Sequence, residues 1–165
     1  MKQPSLFAHI RDIFLLPVNV TIVIPWLIHD RDQHLIPNNF VIKLMGGLLL
    51  VAGLALFSTS VFLFHRVGRG TLAPWQSTQK LVISGPYRYC RNPMISGVFF
   101  MLMGESLLFH STNILIWTGL FFMINTFYFI LSEEPSLEKR FGNDYRVYKS
   151  HVSRWIPRLT PYRGE

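Results

Sequence analysis

The chain has 165 residues, half of them hydrophobic and only 15% charged, with a formal net charge of +7. That length suits one domain, and that balance leans away from an ordinary soluble domain. The single cysteine, Cys90, excludes an internal disulfide and a Cys-type zinc site, and it leaves the redox compartment open.

The apolar residues are clumped into runs at 13–28, 41–64, 94–109 and 113–131. A helix needs about 20 such residues to cross a bilayer, with a range near 17 to 25, so four spans are expected. The first is interrupted by Pro17, Asn19 and Pro25 and could instead dip into the membrane. Asp12 precedes it without a clean small-residue cleavage site after it, so the segment reads as a retained helix behind a short cytoplasmic lead. The missing N–H groups of its prolines must be compensated by neighbours or side chains.

His29, Asp30, Arg31 and Asp32 form a solvated turn at the outer face. Four adjacent residues offer no ligand geometry, and no metal site is expected in the chain. The second run is the most secure span. Lys43 can snorkel to the headgroups, and Ser58, Thr59 and Ser60 can hydrogen-bond to carbonyls one turn earlier.

A basic loop follows, residues 65–92, carrying Arg66, Arg69, Lys80, Arg88 and Arg91. Gly68-Arg69-Gly70 is a lone G-x-G. No complete G-x-G-x-x-G occurs, which counts against a soluble dinucleotide-binding fold. Pro74-Trp75 reads as an interfacial anchor, and Leu81-Val82-Ile83 ends in the turn signal Ser84-Gly85-Pro86. Residues 87–91 alternate aromatic and basic side chains, and Pro93 suits the first turn of the third helix.

Only residues 110–112 separate the third and fourth runs, so those helices must form an antiparallel hairpin. Arg91 and Asn92 at the foot of one then lie beside Glu133 and Glu134 at the foot of the other. Gly97 and Gly104 share a face and would admit a close neighbour. Glu105, a carboxyl inside an apolar run, is either functional or reaches the outer interface or a polar group such as Asn19.

Beyond Leu131, residues Leu137, Phe141, Tyr145, Tyr148 and Val152 make one apolar stripe of a helix whose other face carries Lys139, Arg140, Arg146 and Lys149. Such a helix lies on the membrane surface or caps a cytoplasmic pocket. The tail, residues 154–161, should end it and pack beneath the bundle. The cations crowd the 65–92 loop and the C-terminal segment, which places both termini and the carboxylate pair in the cytoplasm. Cations beside apolar spans fit topology and anionic lipid headgroups better than nucleic acid.

The expected fold is therefore all-α: an integral membrane helical bundle of about four transmembrane helices with a cytoplasmic C-terminal amphipathic helix. One domain comprises two N-terminal spans (1–65), a cytoplasmic loop (66–93), a hairpin (94–131) and a C-terminal helix and tail (132–165). Its inner end gathers Glu133 and Glu134, Arg91 with Asn92, and Tyr87 with a Leu81-Val82 wall. Those parts suit the amine or hydroxyls, the carboxylate and the adenine of S-adenosylmethionine. They suit other charged ligands too, or plain interfacial salt bridges.

The run Gln79-Lys80-Leu81-Val82-Ile83-Ser84-Gly85-Pro86-Tyr87-Arg88-Tyr89-Cys90-Arg91-Asn92-Pro93, the apolar hairpin, and then Glu133-Glu134-Pro135-Ser136-Leu137, Phe141-Gly142, Tyr145, Tyr148, Val152 and Pro157 resemble the isoprenylcysteine carboxyl methyltransferase family. That family stands with the phospholipid methyltransferases as membrane enzymes using S-adenosylmethionine. The resemblance implies a cofactor site at Gln79, Lys80, Leu81, Val82, Tyr87, Asn92, Pro93, Met94, Ile95 and Glu133. Arg91, Asn92 and Glu134 are the expected catalytic residues, and a membrane lipid or lipidated molecule with a carboxylate or amine the expected acceptor. The chain departs from the pattern at Asn92, where the best-known members have histidine, at Ile95 in place of tyrosine, and at Phe129 in place of an arginine. Two other readings remain open: a membrane reductase with a nicotinamide cofactor, by analogy of fold with sterol reductases, and a non-enzymatic membrane subunit.

Overall fold

A computed structural model describes residues 14–29, 35–68 and 80–164, and every regular element among them is helical. The expected lead at 1–12, most of the 29–32 cluster, Arg69, Trp75 and Gln79 lie outside these residues. Helix α1 combines the π-helical Phe14–Val23 with Ile24–Ile28, and α2 is Phe40–Leu63, extended by the π-turn Phe64–Gly68. Helix α3 is Pro93–Leu108 and α4 is Thr112–Tyr128. Phe129–Glu133 then joins α4 without a break to α5, Glu134–His151.

Two of these helical runs are long and apolar enough to cross a bilayer: α2, and the continuous Thr112–His151 with its apolar part in α4. Pro17–Ile28 and Pro93–Leu108 are shorter apolar helices. Asn39 starts α2 by accepting a hydrogen bond from the Ile42 N–H at 2.9 Å, and Ser111 caps α4 through the Ile114 N–H at 3.3 Å. The hydroxyls of Thr59 and Ser60 donate to the Ala55 and Leu56 carbonyls, as their spacing predicts.

The close neighbour expected for Gly97 and Gly104 is α2, which brings its own pair, Gly46 and Gly53, at the same spacing of seven. A Cβ on Gly53 would stand 2.7 Å from the Gly97 carbonyl, and one on Gly104 would stand 2.7 Å from the Gly46 carbonyl. Backbone therefore meets backbone, the contact that small residues allow between membrane helices. Ser60 continues the α2 series and is fully buried. The hairpin mates α3 and α4 meet through larger side chains, with Val98, Leu102 and Phe121 at the centre and Val20, Phe57 and Trp117 packed around them.

Helix α1 is held against α4 at two carbonyls. The Val20 carbonyl lies five residues before Pro25, whose ring nitrogen has no hydrogen to give it in an i to i+5 pattern. The Trp117 Nε1–H donates to it at 3.1 Å instead. Asn113 Nδ2 closes the end of α1 on the Ile28 carbonyl at 3.0 Å.

The C-terminal half differs from expectation in two ways. Helix α5 grows directly out of α4, and it kinks at Gly142, whose φ of 55° and ψ of −126° are non-helical. Such a φ is cheap for glycine alone. The kink does not break up the aromatic stripe: Tyr145, Tyr148 and Val152 form a buried cluster with Leu137, Phe141, Leu81, Ile83 and Tyr162. The tail runs as a strap along the loop before α3. Arg91 N–H donates to the Ser153 carbonyl, Arg158 N–H to the Tyr89 carbonyl and Tyr162 N–H to the Arg88 carbonyl, all at 2.9–3.0 Å.

Candidate functional site

A cavity of about 470 Å³ opens where the start of α3 and the end of α4 meet the loop and α5. Its volume falls in the range of small-molecule sites. One end is polar, with Arg91, Asn92, Glu133 and Tyr145 on its wall. From there it runs between the helices past Ile95 and Val98 to Val20, Phe57, Trp117 and Phe121.

The loop reaches the cavity because it is tied at both edges. Gly85, with φ 55°, starts a single 3-10 turn, Gly85–Arg88, that buries Tyr87. The Tyr148 hydroxyl donates to the Tyr87 carbonyl at 2.6 Å, so α5 fixes the height of that ring. Burial, and secondarily the nearby Cys90, push the Tyr87 hydroxyl well above the ordinary tyrosine range, so it stays protonated. Cys90 is itself buried; its thiol donates to the Arg154 carbonyl at 3.1 Å, and burial raises its pKa. An un-ionised, enclosed thiol of this kind packs rather than reacts. Asn92 precedes Pro93 without capping α3, which leaves its amide on the cavity wall.

Arg91 is the centre of the polar end. Its side chain is 9% exposed, and Nη1 donates to Glu134 Oε1 at 3.0 Å and to the Tyr145 hydroxyl at 3.3 Å. Its Nε–H is buried with no hydrogen-bond partner among the described residues. The residue is itself on the cavity wall, where a guanidinium can pair with an anionic ligand.

The two glutamates separate into different roles. Glu133 lines the cavity, accepts from the Tyr128 hydroxyl at 3.3 Å and lies 4.0 Å from Arg140. Glu134, one residue on, points about 100° away around the helix and is not on the cavity wall. It is 4% exposed and receives Arg91, Arg154 at 2.6 Å and Lys149 at 3.2 Å. Burial alone would raise its pKa, but Arg154, Arg91 and Lys149 together hold the carboxyl below its usual range. Glu134 is thus a charged anchor, which fixes Arg91 from behind.

The other expected site residues fall as follows. Leu81, Val82, Tyr87, Met94 and Ile95 line the cavity with Arg91, Asn92 and Glu133. Lys80 is exposed, Pro93 is buried behind the wall, and Gln79 lies outside the described residues. Phe129, at one of the departures from the family pattern, is on the wall as well. Sequence reasoning did not single out Val20, Phe57, Trp117 or Phe121 for the site, because in a membrane helix an apolar residue facing a cavity looks like one facing lipid. Glu105, in the C-terminal half of α3, has a buried Oε2 without a hydrogen-bond partner among the described residues.

These features define a helical protein with long apolar helices and a cavity of small-molecule size at one end of its bundle. Comparison with family models makes the class specific: residues 42–144, more than half of the chain, match phospholipid methyltransferase. The chain belongs to the phospholipid methyltransferase family, which stands in one group of membrane methyltransferases with isoprenylcysteine carboxyl methyltransferase. The match runs from α2 through the loop and hairpin to the kink in α5, and so contains Arg91, Glu133 and Glu134. No curated protein and no solved structure gives a significant match.

Proposed function

We propose that this chain transfers the methyl group of S-adenosylmethionine to a lipid-borne acceptor bearing a carboxylate or an amine. The observation that carries the reading is Arg91, a largely buried guanidinium on the wall of a cavity that continues as an apolar passage among the helices. Membership of a membrane methyltransferase family supports it. In this reading the bundle crosses the bilayer four times, with α5 along the cytoplasmic surface. The crowding of Lys and Arg in the 65–92 loop and the C-terminal segment supports an inward-facing site.

The residues present fit the cofactor. Arg91 is matched to its carboxylate, Glu133 to its ammonium or ribose hydroxyls, and the Leu81-Val82-Tyr87 wall to its adenine. When bound, the cofactor supplies a methyl group on a cationic sulfur, open to attack by a nucleophile in line. The chain's own contribution is placement: Glu134 and Tyr145 fix Arg91, and Val98, Phe57 and Phe121 line the way for an apolar acceptor. Alignment of two reactants in contact can supply up to about 7–11 kcal/mol of barrier lowering. A carboxylate acceptor needs no base. An amine acceptor must lose a proton, and Glu133 is the carboxylate that faces the cavity.

The test is transfer of labelled methyl from S-adenosylmethionine into extracted membranes. Label in the lipid fraction that is lost with Arg91→Met supports the reading. Label in no fraction at all, from protein that is folded by circular dichroism, contradicts it.

A further inference from the structure

We infer that the C-terminal strap, residues 152–162, is a contact with the anionic lipid surface and that its seating there holds Arg91 ready for the cofactor. The inference rests on the membrane orientation and cofactor proposed above.

Helix α3 has 16 residues, about 24 Å, and falls short of a hydrocarbon core of about 30 Å. The strap lies under its inner end. The Trp155 ring packs at 5.1 Å from Phe122 and 5.8 Å from Phe129, both on the inner half of the α4 run. That contact sets the strap against the second half of the α4 run, beside the first turns of α3. The next side chains outward are apolar and open: Ile156 is 77% exposed and Leu159 fully so. Besides Arg154, which pairs with Glu134, residues 152–164 contain Arg158 and Arg163 and no acidic residue. Open apolar side chains interleaved with arginines match acyl chains beneath anionic headgroups.

The same strap builds the cofactor end of the cavity. Ser153 takes the Arg91 backbone N–H, and Arg154 shares Glu134 Oε1 with Arg91. Lifting the strap therefore removes a backbone and a charge contact that fix Arg91. Because coupling is reciprocal, lipid that seats the strap tightens cofactor binding.

The experiment reconstitutes the full chain in nanodiscs of phosphatidylcholine alone and of phosphatidylcholine with phosphatidylglycerol. A nitroxide on Leu159→Cys reports depth by its collisions with oxygen and with a water-soluble nickel complex. The unsubstituted chain, whose single cysteine is the buried Cys90, gives the background. The expected result is an oxygen-rich, nickel-poor site at 159. S-adenosylmethionine should bind more tightly in the anionic discs, by up to about fivefold per arginine engaged. Arg158→Glu with Arg163→Glu should bring the affinity down to the neutral-disc value. A nickel-accessible label overturns the inference, and so does an insertion that leaves cofactor affinity identical in both lipids. If no cofactor binds in either disc, the functional reading fails, while a label at 159 as deep in neutral as in anionic discs overturns the anionic character of the contact by itself.

Discussion

Replacing Glu134 with glutamine tests how the site is held. The change removes one charge from a buried group that faces three cations, and leaves Arg91, 9% exposed, without a counterion. Removing one partner of a buried pair costs about 3–5 kcal/mol. Arg154 and Lys149 are 24% and 37% exposed, so water relieves part of their loss, and the glutamine oxygen keeps one acceptor. A destabilisation of ~2–3 kcal/mol follows. At roughly 2–4 °C per kcal/mol for a chain of this size, the melting midpoint should fall on the order of 5–10 °C. Affinity for S-adenosylmethionine should fall about tenfold, a loss of ~1.4 kcal/mol, because Arg91 loses its fixed pose. The assay is thermal denaturation by circular dichroism in detergent, with calorimetric titration of the cofactor on the same sample. A variant that matches the parent in both measurements would refute the anchoring role.

Acid should act through the same carboxyl. Its folded pKa is depressed, so its contribution is present above the ordinary carboxyl value of about 4.3 and is lost as pH falls through the folded value. The melting midpoint of the parent should therefore drop more steeply below about pH 4 than that of Glu134→Gln. Gly97→Ala puts a Cβ 2.7 Å from the Phe57 backbone nitrogen and should cost about 1–3 kcal/mol by forcing α2 and α3 apart, whereas Gly47→Ala, with open space around it, should melt as the parent does. Trp117→Phe removes the donor to the Val20 carbonyl and should cost ~1 kcal/mol, read as earlier unfolding on denaturant titration. Tyr87→Ala empties a buried wall of the cavity and should weaken cofactor binding while Lys80→Ala, on an exposed side chain, leaves it unchanged by calorimetry.

Much of this arrangement was legible in the sequence where the signal is local. The apolar run before Phe64 is α2 to within a residue, and the short link at His110 gives the turn between α3 and α4. The hairpin returns the chain to the end of the bundle where α3 starts, and Arg91, in the loop before α3, meets Glu134 there. The division of labour between Glu133 and Glu134 was not legible, since adjacent residues differ only by a rotation that the start of α5 determines. The heptad of Gly46 and Gly53 repeats that of Gly97 and Gly104, and that matched spacing was the available sign of the α2–α3 contact. The strap leaves no such sign: its hydrogen bonds join backbone atoms 62 to 74 residues apart, and backbone pairing carries no residue code.

The most direct measurement is calorimetric titration of S-adenosylmethionine into the full chain in nanodiscs, run beside Arg91→Met and Glu133→Gln. Saturable binding to the parent at one site, weakened at least about tenfold by either substitution, is the predicted result. Binding that is absent from a folded parent, or undiminished in both variants, would contradict a cofactor site built around Arg91.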